Sequence, residues 1–262
     1  MIVNFQPVYP LAFYVSSAYY MKVRTDFAVH EIIPDGKPSL MLNLNGEQHR
    51  LIYNNDVFTG NGNVFLGIHS GPVKCCYGEE AEMIIIRFYP HAIWSLTGIP
   101  GDETLNNVCS SADLFGDGFK GVFDAIRKAV HPDEKLRIVF RFLDMEAVRA
   151  RAAHPGLIEG LRAIHATGGC GRLTGLSGNS YNKYKQLQRS FLKTTGIAPK
   201  AYSRMVRFDH IQQFLRTARN PDWFDVVARY GFADQSHLIK EFLAITNHTP
   251  VEYLNRRHDY FI

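Results

Sequence analysis

The sequence has no run of eighteen apolar residues, so it predicts no helix able to span a membrane. Its first residues, MIVNFQPVYP, lack the charged head and apolar stretch of a signal peptide, and a cytoplasmic setting is expected. Cysteine is scarce: Cys75, Cys76, Cys109 and Cys170 are the four, and none are spaced C-x-x-C. Adjacent Cys75 and Cys76 would chelate a metal poorly, so free, reduced thiols are the expectation. Catalytic signatures are missing too. There is no G-x-S-x-G, no H-E-x-x-H and no phosphate-binding glycine loop; Gly168-Gly169-Cys170-Gly171 lacks the Lys-Ser/Thr sequel and reads as a connection between helices. His30, His49, His69 and His91 fall on or near predicted strands, but no two stand in H-x-H spacing. No catalytic residue, metal or cofactor is therefore expected, and an enzyme is the lesser reading.

Net charge is also small, 29 Lys plus Arg against 25 Asp plus Glu, but it is unevenly spread. Residues 1 to 154 hold 14 basic and 17 acidic residues, whereas the rest hold 15 and 8, a net of +7. A basic half joined to a mildly acidic one is the layout of a nucleic-acid module attached to something else.

The basic half contains one sentence written twice. Leu187 to Tyr202 reads LQRSFLKTTGIAPKAY and, 51 residues on, Leu238 to Tyr253 reads LIKEFLAITNHTPVEY. The copies share Leu187/Leu238, Phe191/Phe242, Leu192/Leu243, Thr195/Thr246, Pro199/Pro250 and Tyr202/Tyr253, with a cation at Arg189 or Lys240. Leu and Phe four apart put one apolar face on a helix, and a unit this short needs a neighbour to bury it. Gly196 and Asn247 stand where a left-handed helix stop is wanted, with Pro three residues later. Upstream of the second copy, Asp222 reads as an N-cap before Trp223, Val226 and Val227; Gly231 breaks that helix and Asp234 caps the next. Helix, glycine turn, helix is the helix-turn-helix plan, whose second helix enters the major groove. The first copy follows the same layout, with Leu173, Leu176 and Ser177 before a turn at Tyr181 and Asn182, where Asn182 could go left-handed, and a second helix over 183–194. The stretch 201–216 reads as one connecting helix.

These residues resemble a known family. QLQRSF, GIAPKAYSRMVRF, the Asp222-Trp223 start, GFADQSHLIKEF and the final Thr-Pro with Tyr253 look like the DNA-binding domain of AraC/XylS-type transcriptional regulators, over about the last hundred residues. Tyr181, Lys183 and Asn247 stand where the family usually carries Gly, Ser and Gly. The resemblance implies duplex DNA as partner. Tyr184, Lys185, Gln188 and Arg189 share the exposed side of the first reader helix, and Gln235, Ser236, His237 and Lys240 that of the second. The resemblance assigns base contacts to Lys185, Gln188 and Arg189 and to all four of the second set. Arg or Lys can donate to guanine, and Gln can pair with adenine. Lys193, Arg204 and Arg207 are candidate phosphate contacts.

Residues 1 to 153 read as strands. Leu40, Leu42 and Leu44 alternate with Met41, Asn43 and Asn45, the mark of a half-buried strand; 27–33, 48–53, 64–68 and 83–89 are further candidates. Pro34-Asp35-Gly36, Asn45-Gly46 and Asn61-Gly62 punctuate them as turns. Helical spacing follows, in Phe119, Val122, Phe123, Ile126 and Val130 and in Leu136, Val139, Phe140 and Leu143. His154-Pro155-Gly156 breaks it and is the expected boundary. The resulting expectation is an α+β chain of two domains. Residues 1–153 form a β-rich sensor with trailing helices, and 154–262 an all-α pair of helix-turn-helix modules. In the family such a barrel holds a small effector or dimerises. A regulator with an unidentified effector, and with RNA polymerase and a second copy as further partners, is the reading. The alternative is a cupin-like β-barrel enzyme or ligand-binding protein with a helical appendage.

Overall fold

The structure, a computed structural model, describes residues 1–24, 29–60, 62–171, 181–218, 220–256 and 260–261. The strands of the first half are β1 (Ile2–Phe5), β2 (Val15–Arg24), β3 (Val29–Ile32), β4 (Ser39–Asn43), β5 (His49–Tyr53), β6 (Asp56–Gly60), β7 (Val64–Leu66), β8 (Val73–Tyr77), β9 (Glu80–Phe88) and β10 (Val108–Ser110). They form two sheets: a larger one ordered β1-β2-β9-β4-β7-β10, and a smaller one in which β3, β8, β5 and β6 are neighbours. Helices α1 (Ala92–Thr97), α2 (Gly101–Thr104), α3 (Ser111–Phe115), α4 (Gly118–Lys128) and α5 (Pro132–Val148) follow.

Both faces of the larger sheet are covered, which corrects the expectation of a half-buried strand at Leu40 to Leu44. All five residues of β4 are buried. Leu40 and Leu42 pack with Phe119, Ile126, Val139 and Leu143 of α4 and α5. Met41, pointing the other way, packs with Leu51, Val73 and Cys75 of the smaller sheet. The alternation was real, but each face found its own core. Val130 is a second correction: α4 stops at Lys128 and Val130 is 79% exposed. Pro132 opens α5, and the residue before a proline is pushed out of helical geometry; His131 is accordingly extended. Of the turn signals, Gly36 and Gly46 take positive φ, whereas Asn61 lies outside the described residues, as do Phe27 and Ala28 of the strand expected over 27–33.

The second half comprises α6 (Pro155–Ala166), α7 (Tyr181–Thr195), α8 (Pro199–Thr217), α9 (Trp223–Arg229), α10 (Gln235–Thr246) and α11 (Pro250–Asn255). A short strand β11 (Tyr260–Phe261) returns to pair in parallel with β3. One core gathers Leu157, Leu161 and Ile164 of α6, Leu187 and Phe191 of α7, and Tyr202, Met205 and Val206 of α8. The other gathers Phe208, Ile211 and Leu215 of α8 with Val226, Leu238, Phe242 and Tyr253. The two ends of α8 thus serve different cores, and the helix ties the modules together. Leu173, Leu176 and Ser177, expected before the first reader helix, lie outside the described residues. Asn182, expected at the turn, is instead in the first turn of α7.

Candidate nucleic-acid interface

The duplicated sequence builds the same helix stop twice. In α7 the Thr195 hydroxyl donates to the Phe191 carbonyl at 2.8 Å and accepts the Ile197 amide at 3.3 Å. In α10 Thr246 donates to Phe242 at 2.8 Å and accepts the His248 amide at 3.1 Å. Gly196 and Asn247 follow with φ of +76° and +60°, the left-handed conformation that ends a helix. Pro199 and Pro250 then open α8 and α11 at a position where a missing amide costs nothing. Leu187, Phe191, Leu238 and Phe242 are buried, fixing which face each reader helix turns outward.

The approach to α10 also follows the sequence. Asp222 caps α9 by accepting the Phe224 amide at 2.8 Å. Gly231 takes φ of +68°, and Asp234 caps α10 by accepting the His237 amide at 2.7 Å. Trp223 packs edge-on against Phe242, as a core residue would.

On the outward faces, Lys185 and Arg189 of α7 and Ser236 and Lys240 of α10 are exposed; Tyr184, Gln188, Gln235 and His237 are half-buried. His237 is partly used within its own module. Its Nδ1 accepts the Ala233 amide at 3.3 Å and its ring packs edge-on against Phe232. The three candidate phosphate contacts have partners inside the chain. Lys193 lies over the Trp94 ring of α1 at 5.6 Å, Arg204 pairs with Glu241 at 2.7 Å, and Arg207 lies over Phe232 at 4.9 Å.

No spacing in the sequence reports the cleft beneath α8. Tyr19, Ile32, Ile33, Met41, Ile85 and Arg87 of the β-rich half face Asp209, Gln212, Leu215 and Arg216 of α8 and Tyr253 of α11. The space enclosed between them is small, about 60 Å³. Asp35 is the hub: it pairs with Arg87 and, at 3.5 Å, with Lys37, which reaches Asp209 at 3.4 Å. Burial works to lower the Arg87 pKa, and Asp35, Tyr19 and Asp209 together more than offset this, leaving it above its ordinary value. Burial pushes the Tyr19 hydroxyl up to about 12, so it stays neutral. These partners lie 52 and 172 residues apart, beyond any local pattern.

The four histidines do not converge: among the described residues no three His, Cys, Asp or Glu side chains gather to hold a metal ion. Nor, among them, is any helix long and apolar enough to cross a membrane.

Two family models match parts of the chain. A helix-turn-helix domain matches residues 183–256, and a domain of unknown function (DUF6597) matches residues 3–110. No curated protein matches it. Among solved structures, ToxT from Vibrio cholerae O395 is 15% identical, covering 90% of this chain and 97% of its own at a TM-score of 0.48. Unsaturated fatty acid bound ToxT from Vibrio cholerae strain SCE256 is 14% identical, covering 90% and 94%, at 0.47. The AraC-like transcriptional activator CuxR is 11% identical, covering 98% and 84%, at 0.20. Likenesses this loose carry no mechanistic weight.

Proposed function

We propose that the chain is a DNA-binding transcription regulator whose helices α7 and α10, within the helix-turn-helix match at residues 183–256, read successive major-groove segments under the control of a small molecule that acts between the two halves. The observation that carries this is the repeated Thr stop, which ends both helices alike and leaves two polar, cation-bearing surfaces outward. The 19 residues of α8 span about 28 Å at 1.5 Å each, and the bodies of the modules bring the readers toward the roughly 34 Å of one DNA turn. Lys185, Gln188 and Arg189 read one subsite; Gln235, Ser236 and Lys240 read the other, with Tyr184 and His237 at the edges. Lys193, Arg204 and Arg207 reach phosphates only by leaving their internal partners.

Domain roles follow from this reading. Residues 1–153 are the sensor and 154–262 the reader. The cleft is bordered by both, so an occupant that favours one arrangement of Asp35, Lys37 and Asp209 shifts how the reader helices are held. Its walls are apolar around a central ion cluster, and it admits a molecule of more than a few atoms only by opening. The chain is a cytoplasmic regulator and not an enzyme in this account, with RNA polymerase and a second copy as further partners.

Footprinting with the full chain tests the reading. Protection should extend over two successive turns of a non-palindromic site, and affinity should fall steeply with salt as counterions are released. Gln235→Ala and Lys240→Ala should each cost about 1–3 kcal/mol at one subsite and relax base preference there. Arg189→Ala should act one turn away. Protection over a single half-turn, or unchanged site preference in all three variants, would end the tandem-reader account.

A further inference from the structure

A second cavity, of about 450 Å³, lies at the other end of α8, between α6 and the β-rich half. Ile158, Leu161, Arg162 and His165, at helical spacing along α6, line one side. Phe13, Tyr89 and His91 line the other, and Tyr202 of α8 closes the floor. This is the size range of small-molecule sites, and the lining is mostly apolar and aromatic with a few polar groups.

His91 is only 4% exposed, and both of its ring nitrogens are shut away from solvent. It sits among aromatic rings, with centroids of Phe13 at 4.9 Å and Tyr89 at 6.3 Å. Burial pushes its pKa down to about 4, only partly offset by the Phe13 backbone, so at neutral pH it carries one donor and one acceptor. His165 and the Tyr202 hydroxyl, 2.7 Å apart, satisfy each other. Arg162 is exposed at the mouth, and none of the lining residues is acidic. The cavity therefore offers flat apolar walls and one cation at its mouth. That combination selects a flat, apolar anion over a sugar or a cation.

We propose that this cavity is a second ligand site, separate from the cleft under the other end of α8, and that it takes an aromatic carboxylate. The ring system lies between Phe13, Tyr89 and Ile158, and the carboxylate meets Arg162. Such a ligand touches both halves of the chain. It also leans on Tyr202, whose ring lies so close to Gly36 that a Cβ there would sit 2.5 Å away. Gly36 is flanked by Asp35 and Lys37, so occupancy of the cavity is felt at the ion cluster of the cleft.

Calorimetry on the full chain with 4-phenylbenzoate and its neutral amide tests the site. The acid should bind one-to-one and the amide at least tenfold more weakly. Arg162→Gln should weaken the acid at least tenfold and leave the amide unchanged. Ile158→Trp, which fills the cavity from α6, should abolish binding of both. Arg216→Gln, in the cleft, should change neither. The proposal is overturned if the acid does not bind, if acid and amide bind alike, or if Arg162→Gln leaves the acid unaffected. Loss of binding in Arg216→Gln alone would move the ligand to the cleft. The footprint of the chain without ligand is independent of every one of these outcomes, so failure here leaves the DNA reading standing.

Discussion

Removing the hydroxyl from the repeated helix stop, by Thr195→Val or Thr246→Val, should destabilise each module by a different amount. Valine keeps nearly the same shape, so the change isolates the hydrogen bonds. Each threonine is buried, 3% and 0% exposed, and its hydroxyl bridges a carbonyl of the ending helix and an amide of the chain leaving it. Without it a buried carbonyl loses a partner and an amide is stranded, at about 1–3 kcal/mol per unsatisfied site. The stranded amide of Ile197 belongs to a residue 5% exposed, whereas His248 is only half-buried and its amide is nearer to water. Thr195→Val should therefore fall toward the upper end, about 2–3 kcal/mol, and Thr246→Val toward the lower, about 1–2 kcal/mol. The two sites share no partners, so the double variant should be additive to within about 0.5 kcal/mol. Thr→Ser, which keeps the hydroxyl and loses one methyl, should cost about 1 kcal/mol or less at either site. Urea unfolding followed by far-UV circular dichroism reads all five variants. If Ser and Val prove equally costly at both sites, the hydroxyl does not hold the stop and the reasoning fails.

Two further outcomes follow from single positions. Gly196→Asn should destabilise the chain even though its counterpart is Asn247, because a Cβ at Gly196 would lie 2.5 Å from the Gly101 carbonyl oxygen; Asn247→Gly should shift the urea midpoint by less than about 1 kcal/mol equivalent. Acid should weaken the fold below pH 6.5: burial lowers the pKa of His69 and His91 to about 4, so the unfolded chain takes up protons first. Their contribution is complete above pH 6.5 and lost as pH falls toward 4, up to roughly 3 kcal/mol each, and a melting temperature unchanged between pH 7 and 5 would contradict it.

The reader was legible because its determinants are local. Leu187, Phe191, Thr195 and Gly196 act within two turns of one helix, and their repetition in Leu238, Phe242, Thr246 and Asn247 excludes coincidence. Caps such as Asp222 and Asp234 bond amides two or three residues away, so spacing alone reports them. Strand β5 and the turns at Gly36 and Gly46 were likewise local. Strands β1, β2, β6, β8 and β10 were missed: β2 loses its alternation at Ser16 and Ser17 and β6 buries little, whereas β8 keeps it in Val73, Cys75 and Tyr77.

What the sequence by itself determined is therefore the identity of the helix-turn-helix half, the faces its helices bury and the residues they turn outward. Tertiary structure alone decided the rest. It buried both sides of β4 and occupied Lys193, Arg204 and Arg207 with Trp94, Glu241 and Phe232. It also joined Asp35 to Arg87 and Asp209 across the cleft, and gathered Phe13, His91 and Arg162 around a cavity. The physical reason is distance along the chain: a helix stop is set by neighbours within four residues, whereas an ion pair or a pocket depends on how separately folded surfaces meet, which no local spacing encodes.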